Sequence, residues 1–513
     1  MSILRRRKRK RDLDAEIFLE EVKVTKGSAP KYLLDGKEVD LWDEPYDFFV
    51  SSSPVDYVRE MILKLEREGV DPFPSVVGKR REKELVKHAL LSGSPILFKG
   101  KKGYGKTTFS KSIAELLPER ILAIKGCKIY DDPTQPTCFS CKKKVIEDNV
   151  VEVAWVPRIW VRVPGDPMLT TRQLIGGISI QKIREGYDLD HPEVFIPGRA
   201  LKANRGVGYF DELGAVPSSL QTMLHELFEE KQVTTTEGDI VPFMIDTIEI
   251  AATNPANYRG TSPIKEPLHD RMEEIGIGPP ETLLEEVEIG LRNMYVVKLK
   301  SQEPNMPNWH LKALARAVRF ARDKERYEVA RMIESEPSCR ATIKLYDHVK
   351  SSASMERRLI PLLSDYGEDY GNVKLALRGR IELVFGAKES KDAVIVKLVE
   401  TALDETCKEV YHEIPSEGFD EFYQALGKAG EYVDGQRHVP LSARVVPALR
   451  EIPAVDDVVS RLLEPSKDED GMYLSALEMI LEAVARCTGL LQRRYLEGEG
   501  FVYVVRDRDE AGV

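Results

Sequence analysis

The sequence lacks any apolar run long enough to cross a bilayer, so no membrane span is expected. It also lacks a basic surplus. A net charge of −10 over 513 residues argues against a duplex-wide basic face, although local basic patches stay open. Cysteine is scarce, with six in the chain. No apolar secretory stretch follows the first basic residues. A reducing, cytoplasmic location is therefore expected, where clustered cysteines serve as metal ligands more readily than as disulfides. There is no internal repeat, and the only biased tract is the basic run Arg5–Arg11, read as a solvated tail with a nucleic-acid or lipid tether as the alternative.

What is present fits a folded chain of several domains, with 42% hydrophobic and 31% charged residues. Residues 1–74 read as a polar leader with one helix near Val55–Glu68. From 75 to 300, apolar strands alternate with amphipathic helices, the pattern of an α/β parallel sheet. Residues 301–389 read as a helical lid, since WHLKALARAVRFAR repeats apolar residues at three- and four-residue spacing. Residues 390–513 read as mostly helical, with a last long helix over YLSALEMILEAVARCTGLLQRRYL and a short strand after it.

The strongest motif follows a short apolar strand ending at Phe98. Gly100-Lys101-Lys102-Gly103-Tyr104-Gly105-Lys106-Thr107 fits the phosphate-binding G-x-x-x-x-G-K-[ST] loop, with Thr108 opening an amphipathic helix. Glycines let successive N–H groups turn toward an anion, and the helix N-terminus adds partial positive charge. Lys106 is expected on the β- and γ-phosphates of ATP and Thr107 on Mg²⁺. Downstream, Gly206–Asp211 reads as a buried strand ending in Asp211-Glu212. Asp211 is expected to hold Mg²⁺, and Glu212 to polarise an attacking water, which a hydrolase requires. A third strand, Thr247–Thr253, ends in Asn254, an amide at the carboxyl edge of the sheet suited to orienting that water.

Cys127, Cys138 and Cys141 include a C-x₂-C knuckle. Three thiolates suit a tetrahedral Zn²⁺ whose fourth ligand comes from Asp131, Asp132 or a remote cysteine such as Cys339. Plain reduced thiols, or an iron–sulfur or redox role, are the alternatives.

With GKKGYGKTTFSKSIAELLPE, the block Pro197–Glu212 and Asn254-Pro255, the sequence resembles the ATPase subunit of magnesium chelatase and its MoxR-type relatives over roughly residues 75–350. The resemblance implies an AAA+ fold of the helix-2-insert clade, a P-loop parallel-sheet core acting as a homo-oligomeric, hexameric ring. It implies a helix-2 insert over Leu174–Gly177 and Gln181–Gly186, and a pre-sensor hairpin over Gln232–Ile245. It makes Arg271, in Leu268-His269-Asp270-Arg271, the arginine finger, Arg340 the lid arginine and Arg205 a weaker subunit-interface contact. It implies an ATP-hydrolysing motor that remodels a partner, including for metal insertion. That partner usually carries a von Willebrand-type domain; this chain lacks a D-x-S-x-S motif, so a separate polypeptide is expected. A helicase-like nucleic-acid motor is the alternative. No Pro-Lys-Asp-Gly-Pro-Ser-Ala-Gly protease motif occurs.

Overall fold

A computed structural model describes residues 21–50, 53–187, 194–231, 233–234, 240–241, 244–255, 263–298, 305–415, 419–429, 431–433, 436–439, 441, 446–496 and 500–506. The basic run Arg5–Arg11 and Glu237-Gly238-Asp239, within the expected pre-sensor hairpin, lie outside them. The chain forms two compact units, Met1–Gly278 and Pro279–Val513.

The first unit is built on five parallel strands: β1 (Ile96–Lys99), β2 (Trp160–Pro164), β3 (Gly206–Asp211), β4 (Thr247–Thr253) and β5 (Glu273–Gly276), in the order β5-β1-β4-β3-β2. Every residue of β3 and β4 is buried. Such unbroken burial is what a sheet covered on both faces demands, and it explains why these segments read as apolar runs without alternation. The order sets β4 between the phosphate-loop strand and the Asp-Glu strand, so the three motif-bearing strands are neighbours.

The leader is more than a tail with a helix. Ser53 caps the helix Pro54–Glu68, and Gly69, at φ 68, ends it. Ahead of that helix, Lys31–Leu34 pairs in parallel with Val150–Val153 and antiparallel with Lys37–Val39, while Arg120–Ile124 flanks Val150–Pro157 on the other side. The resulting four-stranded sheet buries Tyr32, Leu41, Leu122, Ile124, Cys141, Val145, Val151 and Val153 in one cluster. Leader and cysteine segment thus share a single small core.

In the second unit one hydrophobic cluster runs from Val287 to Leu403. It joins the helices Asn308–Phe320 and Cys339–Met355 to Lys391–Glu413, so the lid range and the start of the C-terminal region pack together. The last helix is shorter than the sequence predicts. It spans Glu469–Thr488 and stops where Gly489 takes φ 72; Leu491–Leu496 then turns into a strand paired antiparallel with Gly500–Val505. With Glu431–Val433 and Gln436–Val439 these make a four-stranded sheet.

Two acids one turn apart on that helix differ in their surroundings. Glu482 receives Arg486, Arg493 and the Tyr503 hydroxyl. Glu478, 1% exposed, accepts the Leu363 N–H at 2.7 Å and has no cation partner among the described residues. Burial pushes Glu478 up to about 8, against the pull of that N–H. Buried His310, held by Tyr366, Pro361 and Ser475, is pushed down to about 3, again chiefly by burial.

The signs oppose. His310 loses stability as pH falls below its unfolded value of about 6.5. Glu478 loses it as pH rises from its unfolded value of about 4.3 toward its folded one. Above about pH 6.5 the histidine no longer contributes, and Glu478 sets the slope together with Glu249, which burial pushes up to about 7. The melting temperature should therefore fall between pH 6.5 and 8, and Glu478→Gln should flatten that fall; an unchanged slope in the variant would remove Glu478 as its cause.

Candidate nucleotide site

The phosphate loop follows directly from β1. Gly103 and Gly105 sit at φ 88 and φ 100, conformations that L side chains rarely adopt. Gly100 is a glycine for another reason: a Cβ there would lie 2.2 Å from the Ile277 carbonyl oxygen. Helix α1 (Lys106–Glu115) starts at the loop's lysine with no side-chain cap, and a helix N-terminus of this kind favours an anionic ligand. Lys101, Lys102 and Thr108 are exposed around the loop, whereas Tyr104 is buried.

Lys106 is buried and donates to the carbonyl oxygens of Gly100 and Lys101 and, at 3.0 Å, to Asn254 Oδ1. Asn254 reaches it because β4 lies beside β1 in register, Thr253 opposite Lys99. The expected phosphate and sensor residues are therefore in direct contact.

On the other side of β4, the structure joins Thr107 and Asp211 through a residue that motif reading missed. Tyr209 Oη lies 3.1 Å from Thr107 Oγ1 and 3.1 Å from Asp211 Oδ1. Its period-two spacing from Asp211 was the available signal. Arg162, opposite Tyr209 on β2, donates Nε to Asp211 Oδ2 at 3.0 Å. No local motif marks it. Trp160 stacks on Tyr209 with ring centroids 5.8 Å apart and donates to Ser110 Oγ on α1. Burial raises the Tyr209 phenol well above its ordinary range, keeping it protonated as a donor. Thr107 and Asp211 offer a hydroxyl and a carboxylate oxygen on adjacent elements, the hard donors Mg²⁺ takes from protein in phosphate sites.

Glu212 leaves β3 in the left-handed region at φ 52, half-buried. Its backbone is held by a close approach at Gly165, where a Cβ would meet the Glu212 carbonyl oxygen at 2.1 Å. Lys106, Thr107, Asp211, Glu212 and Asn254 thus gather at the carboxyl ends of β1, β3 and β4, where open α/β sheets bind ligands.

Arg271 stands at the opposite edge. It precedes β5, whose first residue Glu273 pairs with Ile96, four residues or about 13 Å short of Gly100. Its guanidinium bonds Glu229 at 2.7 Å and the Pro267 carbonyl oxygen at 2.9 Å. Arg340 belongs to the second unit, exposed in the first turn of Cys339–Met355.

Arg205 requires a correction. It is 9% exposed and bonded within its own chain to Asp132, the Leu122 carbonyl and the Phe49 carbonyl, so it is an internal anchor and not a subunit-interface contact. The segment expected to form the helix-2 insert holds a short ribbon, Gly176–Ile178 against Phe195–Pro197, and a short helix, Ile180–Arg184. Of the pre-sensor hairpin, Val233–Thr234 pairs antiparallel with Ile240–Val241.

Cys127, Cys138 and Cys141 come together with Asp131, one ligand atom from each lying within 4.8 Å of the others. None of the three is in a disulfide. No helix among the described residues is long and apolar enough to cross a membrane.

No protein-family model matches the chain. It is 30% identical over 158 residues to a magnesium-chelatase subunit ChlI homolog of Methanocaldococcus jannaschii, covering 30% of this chain and 40% of that protein. It is 28% identical over 180 residues to magnesium-chelatase subunit ChlI of Mesostigma viride, covering 34% and 47%. The chain spans less than half the length of these curated relatives. Among solved structures, the BchI–BchD complex of magnesium chelatase aligns at 19% identity over 61% of this chain and 97% of that one, with a TM-score of 0.32. The Thermotoga maritima RuvB Holliday junction branch migration motor aligns at 16% over 86% and 97%, with a TM-score of 0.30. Structural likenesses this loose carry no argument about function.

Proposed function

We propose that this chain, whose first unit carries an AAA+ core of the chelatase/MoxR type, is a Mg²⁺-dependent ATPase working as a homo-oligomeric, hexameric ring that remodels or activates a partner protein. The observation that carries the reading is the convergence of Lys106, Thr107, Asp211, Glu212 and Asn254 at one sheet edge. A phosphate cradle with no acidic partner would bind nucleotide only; Glu212, fixed beside Asp211, supplies the base that hydrolysis needs.

Residues Gly100 to Thr108 receive the ATP phosphates, with Lys106 on the β- and γ-oxygens. Thr107 and Asp211 would hold Mg²⁺, which supplies neutralisation of phosphate charge. Arg162 and Tyr209 fix the Asp211 carboxylate from either side. Lys106 now binds Asn254 Oδ1, so a γ-phosphate that takes the ammonium frees the amide to orient the water that Glu212 polarises. Arg271 completes the site from a neighbouring subunit, and Arg340 is the lid's contribution.

The partner in this reading is a separate polypeptide with a von Willebrand-type domain in the cytoplasm, and metal insertion is one outcome of the remodelling. The zinc expected at the cysteines is structural and has no step in the cycle. Purified chain should release phosphate from ATP only with Mg²⁺, and Lys106→Ala should lose that activity. Duplex DNA should leave the rate unchanged. Stimulation by DNA that collapses steeply with salt would instead establish the nucleic-acid motor.

A further inference from the structure

Two adjacent aspartates in the segment between α1 and β2 are treated differently by the fold. Asp132 is buried and paired with Arg205 at 3.1 Å. Asp131 is 0% exposed, yet no lysine, arginine or histidine pairs with it among the described residues. Its Oδ1 accepts the Thr137 hydroxyl and its Oδ2 the Cys138 N–H, both at 2.8 Å. Each oxygen keeps a lone pair. A buried carboxylate without a counter-cation is costly, and such groups are ordinarily paired or bound to metal.

Beside it stand three thiols. Cys127 Sγ and Cys138 Sγ are 3.9 Å apart, close to the edge of about 3.8 Å that two Zn–S bonds of about 2.3 Å subtend in a tetrahedron. The Asp131 N–H donates to Cys127 Sγ at 3.4 Å, a bond that favours a thiolate there. Cys141 is buried on the first turn of the helix Phe139–Glu147, with Cys138 as its N-cap. Cys339 lies in the second unit and is not among the four clustered groups.

We propose that Cys127, Cys138, Cys141 and Asp131 bind one structural Zn²⁺, which staples the 127–131 loop to the helix Phe139–Glu147. Three sulfurs and a carboxylate favour zinc over the hard cations that oxygen-only sites take. All four positions are filled by protein, the mark of a structural site and not a catalytic one. The staple also has an address. The Ile129 carbonyl accepts Asn204 Nδ2 at 3.0 Å, and Arg205 binds both Asp132 and the Tyr130 carbonyl. Asn204 and Arg205 lead directly into β3. The metal thereby fixes the loop on which the entry to the Asp211-Glu212 strand is anchored.

The test uses the full chain, purified under reducing conditions without added metal. Elemental analysis should find about one zinc per chain, and Cys138→Ser with Cys141→Ser should lower it to below about a tenth. X-ray absorption should show three sulfur neighbours and one light atom, and Asp131→Cys should raise the sulfur count to four. Three sulfurs persisting in Asp131→Cys would remove Asp131 from the ligand set. Metal-free chain that takes up neither Zn²⁺ nor Co²⁺ when reduced, or a Cys127–Cys138 disulfide by mass, would overturn the site. Should the cysteine variants fail to fold, uptake by the unaltered chain still decides. ATP turnover is no readout here, so this inference and the ATPase reading fail separately.

Discussion

Glu212→Gln should lower the rate of ATP hydrolysis by about 10²–10⁴-fold, the usual worth of a positioned general base, or about 3–5 kcal/mol on the barrier. Affinity for ATP should be unchanged. The substitution keeps the side-chain shape, and nothing in the cradle is built from Glu212: Lys106 is held by Gly100, Lys101 and Asn254, and the proposed Mg²⁺ donors are Thr107 and Asp211. The backbone at 212 is fixed by its own φ of 52 and by the Gly165 contact, neither of which the amide disturbs. Single-turnover phosphate release alongside equilibrium nucleotide binding separates the two quantities. Unchanged turnover would remove Glu212 from its role.

Arg271→Ala should cost about 10³–10⁵-fold in turnover, the range for a guanidinium stabilising charge on a transferring phosphoryl group. Its location makes the expectation specific. Arg271 lies just before β5, at the end of the sheet opposite the chain's own phosphate loop, so in the proposed ring its catalytic effect is exerted on another subunit's nucleotide. ATP binding should persist. The ion pair with Glu229 is partly exposed, and such pairs contribute little to stability. Glu229→Gln is therefore the control. It removes the same ion pair, and near-normal activity in that variant would show that Arg271 acts on nucleotide and not by holding Glu229. Equal losses in the two variants would make Arg271 a local structural residue.

The phosphate loop, the Asp-Glu strand and Asn254 were legible in the sequence because each is a local signal. Glycine spacing reports backbone conformation, and an apolar run ending in acids reports a strand and its carboxyl edge. Arg162 was missed because its place beside Asp211 depends on the register of β2 against β3, segments more than forty residues apart, whereas Tyr209 shares β3 with Asp211 and only its period-two spacing marked it. The leader's union with the cysteine segment is non-local in the same way, since Lys31–Leu34 finds its partner at Val150–Val153. Arg205 was misread because an arginine beside a motif looks alike whether it faces a neighbour or its own Asp132. The last helix was overextended because apolar spacing continues through Gly489, and only the glycine's left-handed conformation ends it.

Mixing the two inactive variants tests the central claim, that one chain builds the nucleotide site and another completes it. Equal amounts of Glu212→Gln and Arg271→Ala, combined and allowed to exchange subunits, give a site with an intact Glu212 from one subunit and an intact Arg271 from its neighbour about a quarter of the time in a head-to-tail ring. Turnover in the mixture should rise to about a quarter of the unaltered rate, far above either variant alone. A mixture that hydrolyses no faster than the sum of its inactive parts, with exchange verified, would contradict it.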